Sequence, residues 1–241
     1  MLSLPALSTI YGRFETFSRI ARDRFSGSLG GKLLLKSPLD ADGLADLAAA
    51  SIAGACSVCI EPEAEQLREA MRAGLCDFVV GPLDEALRIL KNELRRGLPV
   101  SVGLAAEPHS TLAEMLDRGL QPDFVSLPPG EPSRILLQRG ALALPEHDSP
   151  APDTVLIEWT LITDIARSMP QIARIAARSL DADRPDTPLR HRWLESAPRH
   201  LGRAFATRLC LRMTAAESSA FVAAARTQFP MIRITSDATE L

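Results

Sequence analysis

Between Gly31 and Leu127 short apolar runs alternate with segments of helical period, and this alternation constrains the fold more than any other feature. Lys32 to Leu35, Cys56 to Ile60, Asp77 to Val80, Val100 to Leu104 and Asp123 to Leu127 read as strands. Between them lie helical stretches. Asp42 to Ala53 is Ala/Leu-rich, Pro62 to Ala73 has a proline suited to a first turn, and Asp84 to Arg96 is amphipathic. A fourth helix, running to Arg118, opens on a capping-box pair, Thr111 and Glu114. Gly74, Gly97 and Gly119 close three of them. Strands that alternate with helices of this length need crossover connections, so the pattern predicts a doubly wound parallel sheet of about five strands with helices on both faces. Such sheets place ligand sites at the carboxyl ends of their strands.

The chain has 241 residues, 46% of them hydrophobic and 24% charged, which is the balance of an ordinary globular protein. No run approaches the roughly 18 apolar residues of a membrane span. Met1 to Ile10 lacks a basic n-region and soon reaches Arg13 and Glu15, so the expected location is cytoplasmic. A net charge of −3 excludes a protein built mainly to coat nucleic acid. Lysine occurs only at 32, 36 and 91, while arginine is spread along the whole chain.

Two proline clusters change the texture after the fifth strand. Pro128-Pro129-Gly130-Glu131-Pro132 is a breaker, and Pro145 to Pro152 is a second. The expected organisation is therefore a lead-in over 1–30, the sheet domain over 31–132, a linker over 133–153 and a small α+β domain over 154–241. In that last part Thr154 to Thr160, Arg208 to Met213 and Met231 to Thr235 read as strands. Pro170 to Leu180 and Thr214 to about Gln228 read as helices, with an irregular stretch between. The order admits a ferredoxin-like layer.

From Gly12 to Leu127 an ordered set of short motifs resembles the NAD-binding domain of urocanase, the hydratase of histidine breakdown. Gly12-Arg13-Phe14-Glu15-Thr16-Phe17 is similar to the family's G-T-Y-E-T-F. Gly31 to Leu35 resembles the strand before its glycine-rich turn. Leu83-Asp84-Glu85-Ala86-Leu87 matches L-D-E-A-L, and Ser101-Val102-Gly103-Leu104 resembles S-I-G-L. Arg118-Gly119 with Pro122-Asp123 matches R-G-x-x-P-D. The resemblance covers about half the chain and implies a Rossmann-like fold followed by the smaller α+β unit.

The departures from the family bear on function. Where the family's turn reads roughly G-L-G-G-M-G-G-A, this chain has Pro38-Leu39-Asp40-Ala41-Asp42-Gly43-Leu44-Ala45, and only Gly43 keeps its place. Those glycines let backbone N–H groups approach a pyrophosphate at a helix N-terminus. Pro38 has no N–H to offer, and Asp40 and Asp42 bring carboxylates to the same turn. Either aspartate also suits a helix N-cap. Glu61 ends the second strand, where a Rossmann acid binds ribose hydroxyls; an acid beside Pro62 is also ordinary surface chemistry. The family's G-N after strand four is Ala106-Glu107 here, and its D-Q-T-S after strand five is Leu127-Pro128-Pro129-Gly130. Nothing after Pro128 resembles the family's catalytic half.

The expectation is thus a vestigial cleft lined by Asp40, Asp42, Gly43, Glu61, Ala106 and Glu107, with no catalytic residues, no metal and no cofactor, or NAD held only weakly. The chain would then serve as a non-catalytic binding or accessory module for a small molecule or a protein partner. Two alternatives stand beside it. One is a small enzyme or sensor that keeps altered nucleotide binding. The other is a subunit completed by another chain, tied to urocanate or imidazole metabolism; a homo-oligomer is also open.

Outside that region the signals are weaker. Cys56 and Cys59 form a C-x-x-C within a strand-like run, where residues three apart face opposite sides. The four histidines, 109, 147, 191 and 200, lack metal spacing. Between Arg184 and Arg212 seven arginines gather around Trp193, opposed only by Asp186 and Glu195. This is either an anion or nucleic-acid patch, or a solvated segment with Trp193 buried.

Overall fold

The computed structural model describes residues 3–145, 153–162, 168–236 and 239–240. His147 and the linker residues 146–152 lie outside them. The chain divides into two compact units, Met1–His147 and Asp148–Leu241.

Unit 1 is α/β. Its strands are β1 (Leu33–Lys36), β2 (Cys56–Glu61), β3 (Phe78–Val80), β4 (Ser101–Ala105), β5 (Phe124–Ser126) and β6 (Leu142–Ala143). They form one sheet in the order β3-β4-β2-β1-β5-β6, with every pairing parallel. The connecting helices are α2 (Ala41–Ala53), α3 (Ala64–Ala73), α4 (Leu83–Arg96), α5 (Pro108–Asp117) and α6 (Glu131–Gln138). Gly54, Gly74 and Gly97 each end a helix in the left-handed conformation, which a side chain would strain.

Strand alternation sorts the two faces. Leu33, Leu35, Cys56, Val58, Ile60, Val102, Leu104 and Val125 share one core with Ala86 and Leu90 of α4, Leu112 and Met115 of α5, and Leu136 of α6. The neighbouring positions Leu34, Lys36, Cys59, Glu61 and Gly103 point the other way. There Leu67 of α3 lies so close to Gly103 that an added Cβ would come within 2.7 Å of it.

Four features of unit 1 differ from the sequence expectation. The helix expected to open on Thr111 and Glu114 begins at Pro108 instead, with Glu107 as its N-cap. The sheet has a sixth strand, so it does not end at Leu127. The first part of the stretch expected as linker, 133–153, instead builds most of α6 and all of β6. Pro132 sits in the first turn of α6, where a missing N–H removes no helical bond. Finally, the supposed lead-in is an 18-residue helix, α1 (Leu7–Arg24). Its Leu7, Ile10, Phe14 and Phe17 recur every three or four residues and are buried. Phe17 meets Phe124 edge-on at 5.5 Å.

Unit 2 is a small α+β layer. β7 (Val155–Leu161) runs down its centre, antiparallel to β8 (Arg208–Met213) on one side and β9 (Ile232–Ser236) on the other. The two-residue β10 (Thr239–Glu240) pairs antiparallel with the outer side of β9. Among the described residues α7 (Met169–Arg178), α8 (Thr187–His200) and α9 (Ala215–Gln228) accompany them. The stretch read as irregular is therefore the helix α8. A ferredoxin-like order needs two strands in succession between its helices, whereas here α7 runs on to α8 and the single strand β8 separates α8 from α9. Trp159 packs on Phe221 at 4.9 Å between ring centres, and the buried Trp193 indole donates to the Cys210 carbonyl at 2.7 Å. Among the described residues no helix is long and apolar enough to cross a membrane.

Candidate functional site

The chain leaves β1 toward β2 and leaves β5 toward β6, on opposite sides of the sheet. The carboxyl ends of β1 and β5 therefore flank the crevice in which a doubly wound sheet holds its ligand. The loop 37–40 and the first turn of α2 form one wall.

That wall is closed on itself by its own side chains. Asp40 is the N-cap of α2, and its Oδ1 accepts the Gly43 N–H at 2.7 Å. Glu61, at the end of β2, is buried. Its Oε2 accepts the Leu39 N–H and its Oε1 the Glu63 N–H, each at 3.1 Å. The Ser37 hydroxyl donates to the Ile60 carbonyl at 3.0 Å, which ties the same loop to β2 a second time. Asp42 lies one residue into α2 and is exposed. Gly43 is closely packed: a Cβ there would lie 2.7 Å from Lys36 Cε and 2.9 Å from the Pro38 carbonyl oxygen.

A buried charge network underlies the turn. Lys36, the last residue of β1, donates to Ser126 Oγ of β5 at 3.1 Å and so spans the crevice. Its Nζ stands 3.7 Å from both Asp40 Oδ1 and Asp46 Oδ2. Asp46, on α2, is fully buried and lies 3.1 Å from Arg13 Nε of α1. Burial pushes the Asp46 carboxyl above its ordinary range, and the attraction of Arg13 and Lys36 offsets this only in part.

Ala106 and Glu107 follow Ala105, the register partner of Glu61. Glu107 faces its own helix instead. It caps α5 by accepting the Ser110 N–H at 2.8 Å and the His109 N–H at 3.1 Å, and these bonds hold its carboxyl below the usual range. The structure thus brings Asp40, Gly43 and Glu61 into one bonded loop, leaves Asp42 on the surface and turns Glu107 to capping. Sequence reading did not single out Lys36, Asp46, Arg13 or Ser126 as one group. Its only trace was a lysine closing the otherwise apolar run Leu33-Leu34-Leu35.

The remaining candidates resolve structurally. Cys56 belongs to the α4-side core, whereas Cys59 lies on the opposite face beside Cys76. All four cysteines are buried and none is in a disulfide. Burial raises the thiols of Cys56 and Cys76 to about 11 and that of Cys59 further. Among the described residues no three His, Cys, Asp or Glu side chains form a metal-holding group. In the arginine-rich segment Arg190 is buried and pairs with Glu217 at 2.8 Å and Asp186 at 3.3 Å. Arg184 pairs with Asp153 and Asp186, and Arg208 with Glu158. These three arginines brace unit 2 rather than form an open anion patch.

Residues 8–127 match the family model described as Urocanase: Urocanase Rossmann-like domain. The matched stretch runs from α1 to the residue after β5 and contains Arg13, Lys36, Asp40, Asp46, Glu61 and Ser126.

Proposed function

From the premise that residues 8–127 are a urocanase Rossmann-like domain, we propose that the domain acts as a non-catalytic binding or accessory module whose dinucleotide turn is degenerate. The observation that carries this reading is the hydrogen bond from Leu39 N–H to Glu61. A dinucleotide site needs free N–H groups at the turn for the pyrophosphate and a free acid at the end of β2 for the ribose. Here one internal bond engages both. The Gly43 N–H is likewise engaged by Asp40, and Pro38 has none. Lys36 could attract phosphate, but its ammonium already faces Ser126, Asp40 and Asp46. At ~4 Å from a phosphate, a carboxylate such as Asp40 or Asp42 costs about 1 to 4 kcal/mol. These residues do not fit NAD.

Titration calorimetry of the purified chain with NAD tests the proposal. The expected result is no saturable heat at micromolar concentrations. A micromolar or tighter dissociation constant would overturn the reading, as would turnover of urocanate at enzyme-like rates with NAD present.

A further inference from the structure

Unit 2 contains a groove of about 520 Å³ between α7 and α8. Its origin lies in the sequence of the two helices. Ala173 and Ala177 of α7 fall four residues apart on one face and reach only a short distance toward α8. Opposite them stand Leu194 and Pro198, also four apart. Pro198 is inside α8 and has no N–H, so the Leu194 carbonyl loses its usual donor one turn on. Two alanines facing a proline leave an apolar trough where larger side chains would have closed the contact.

The rim of this trough is basic. Arg174 of α7 stands on one side, and His191 and Arg199 of α8 stand on the other. Unlike Arg184, Arg190 and Arg208, these three side chains make no hydrogen bond or ion pair among the described residues. Glu195 is the one acid in the lining. It follows His191 by four residues and precedes Arg199 by four, so it shares their stripe.

We propose that the α7–α8 groove binds a small monocarboxylate with an apolar body. The volume falls within the roughly 300 to 1,000 Å³ of small-molecule sites. Free guanidinium groups at the rim match a carboxylate, whose two oxygens fit the guanidinium fork. The trough of Ala173, Ala177, Leu194 and Pro198 removes apolar surface from water, which a fully hydrated inorganic phosphate does not offer. Glu195 opposes a second negative charge and so favours a monoanion over a dianion. The site lies wholly within unit 2 and is independent of the state of the turn in unit 1.

The test is titration calorimetry on the full chain with 3-phenylpropionate, octanoate and indole-3-acetate, beside 3-phenylpropionamide and inorganic phosphate. At least one carboxylate is expected to bind with a dissociation constant below about 1 mM. The amide and the exposed double variant R174Q/R199Q are each expected to lose about tenfold in affinity. Ala177→Leu, which fills the trough from its rim, is expected to abolish binding while the near-ultraviolet signal of the tryptophans is kept. The proposal is overturned if none of the three carboxylates saturates below about 1 mM. It is also overturned if the amide binds as well as its acid, if either variant binds like the unmodified chain, or if phosphate binds more tightly than every carboxylate.

Discussion

Glu61 at the end of β2 accepts the Leu39 N–H across 3.1 Å, from a carboxylate that is buried and holds the Glu63 N–H as well. The loop after β1 is therefore fastened to the strand beside it by a side chain of the same domain. Glu61→Ala leaves the buried Leu39 N–H without an acceptor, at a cost of about 1–3 kcal/mol. The expected outcome is a lower denaturant midpoint with an unchanged slope. Regained NAD binding is not expected, because Pro38 and Asp40 still occupy the turn.

Gly43 gives a second measure of the same packing. An added Cβ meets both Lys36 Cε at 2.7 Å and the Pro38 carbonyl at 2.9 Å. The lysine tip can move, whereas the carbonyl belongs to the loop that Glu61 fixes. Gly43→Ala is expected to destabilise unit 1 by about 1–3 kcal/mol, the usual cost of overpacking, despite alanine's better helix propensity. A thermal melt that matches the unmodified chain would count against the tight turn.

Asp46 carries the pH dependence of unit 1. Its carboxyl is raised above the ordinary value of 3.8, first by burial. An acid with a raised folded value binds its proton more tightly when folded. Its contribution is therefore most favourable below 3.8 and is lost as pH rises through the folded value. Asp46→Asn removes this slope. The difference in unfolding free energy between variant and parent is expected to shift in the variant's favour as pH rises above about 4. A difference that stays constant with pH would show that Asp46 is not titrating in that window.

Much of unit 1 was legible because its signals are local. The five longer strands announce themselves by apolar runs, and an N-capping aspartate at the turn after β1 was legible as either Asp40 or Asp42, of which Asp40 is the cap. What escaped depends on tertiary contact or on a misleading local cue. Prolines beside Glu131 resemble a linker, yet Pro132 is compatible with a first helical turn. α8 was hidden by Pro198 and by its arginines, although Arg190, Trp193, Leu194 and Ala197 keep helical spacing and are all buried. The site itself was half legible. The turn's lost glycines are visible in the residues, but the Glu61 to Leu39 bond and the Lys36 to Ser126 bond each join segments distant in sequence.

The thiols provide a chemical check on both units. Cys56, Cys59, Cys76 and Cys210 are all buried, and none is in a disulfide. Reactivity needs a thiolate, and burial holds Cys56 and Cys76 near 11 and Cys59 higher still. At pH 8 the native chain is expected to react with a disulfide reagent only at its opening rate, and all four thiols are expected to react at once in denaturant. A fast native thiol would indicate an open segment near one of them.

The last prediction concerns the buried pair of unit 2. Glu217, in the first turn of α9, accepts from Arg190 Nη1, the Asp181 N–H and the Thr214 N–H, each at 2.8 Å. Burial alone would raise its carboxyl, but these three bonds outweigh burial and hold it below the usual 4.5. A lowered acid contributes stability above its unfolded value, and that stability is lost as pH falls through the folded value. Glu217→Ala removes the buried partner of Arg190 and leaves it paired with the partly exposed Asp186, at a cost of up to about 3–5 kcal/mol. Both tryptophans, Trp159 and Trp193, lie in unit 2, so indole fluorescence follows the unfolding of that unit alone. By that signal the variant is expected to unfold at a lower denaturant concentration at neutral pH. The gap to the parent should narrow below about pH 4.5, where the parent's own carboxylate takes up its proton. A gap that persists unchanged into acid would mean that packing of the Glu217 side chain, rather than its charge, holds Arg190 in place.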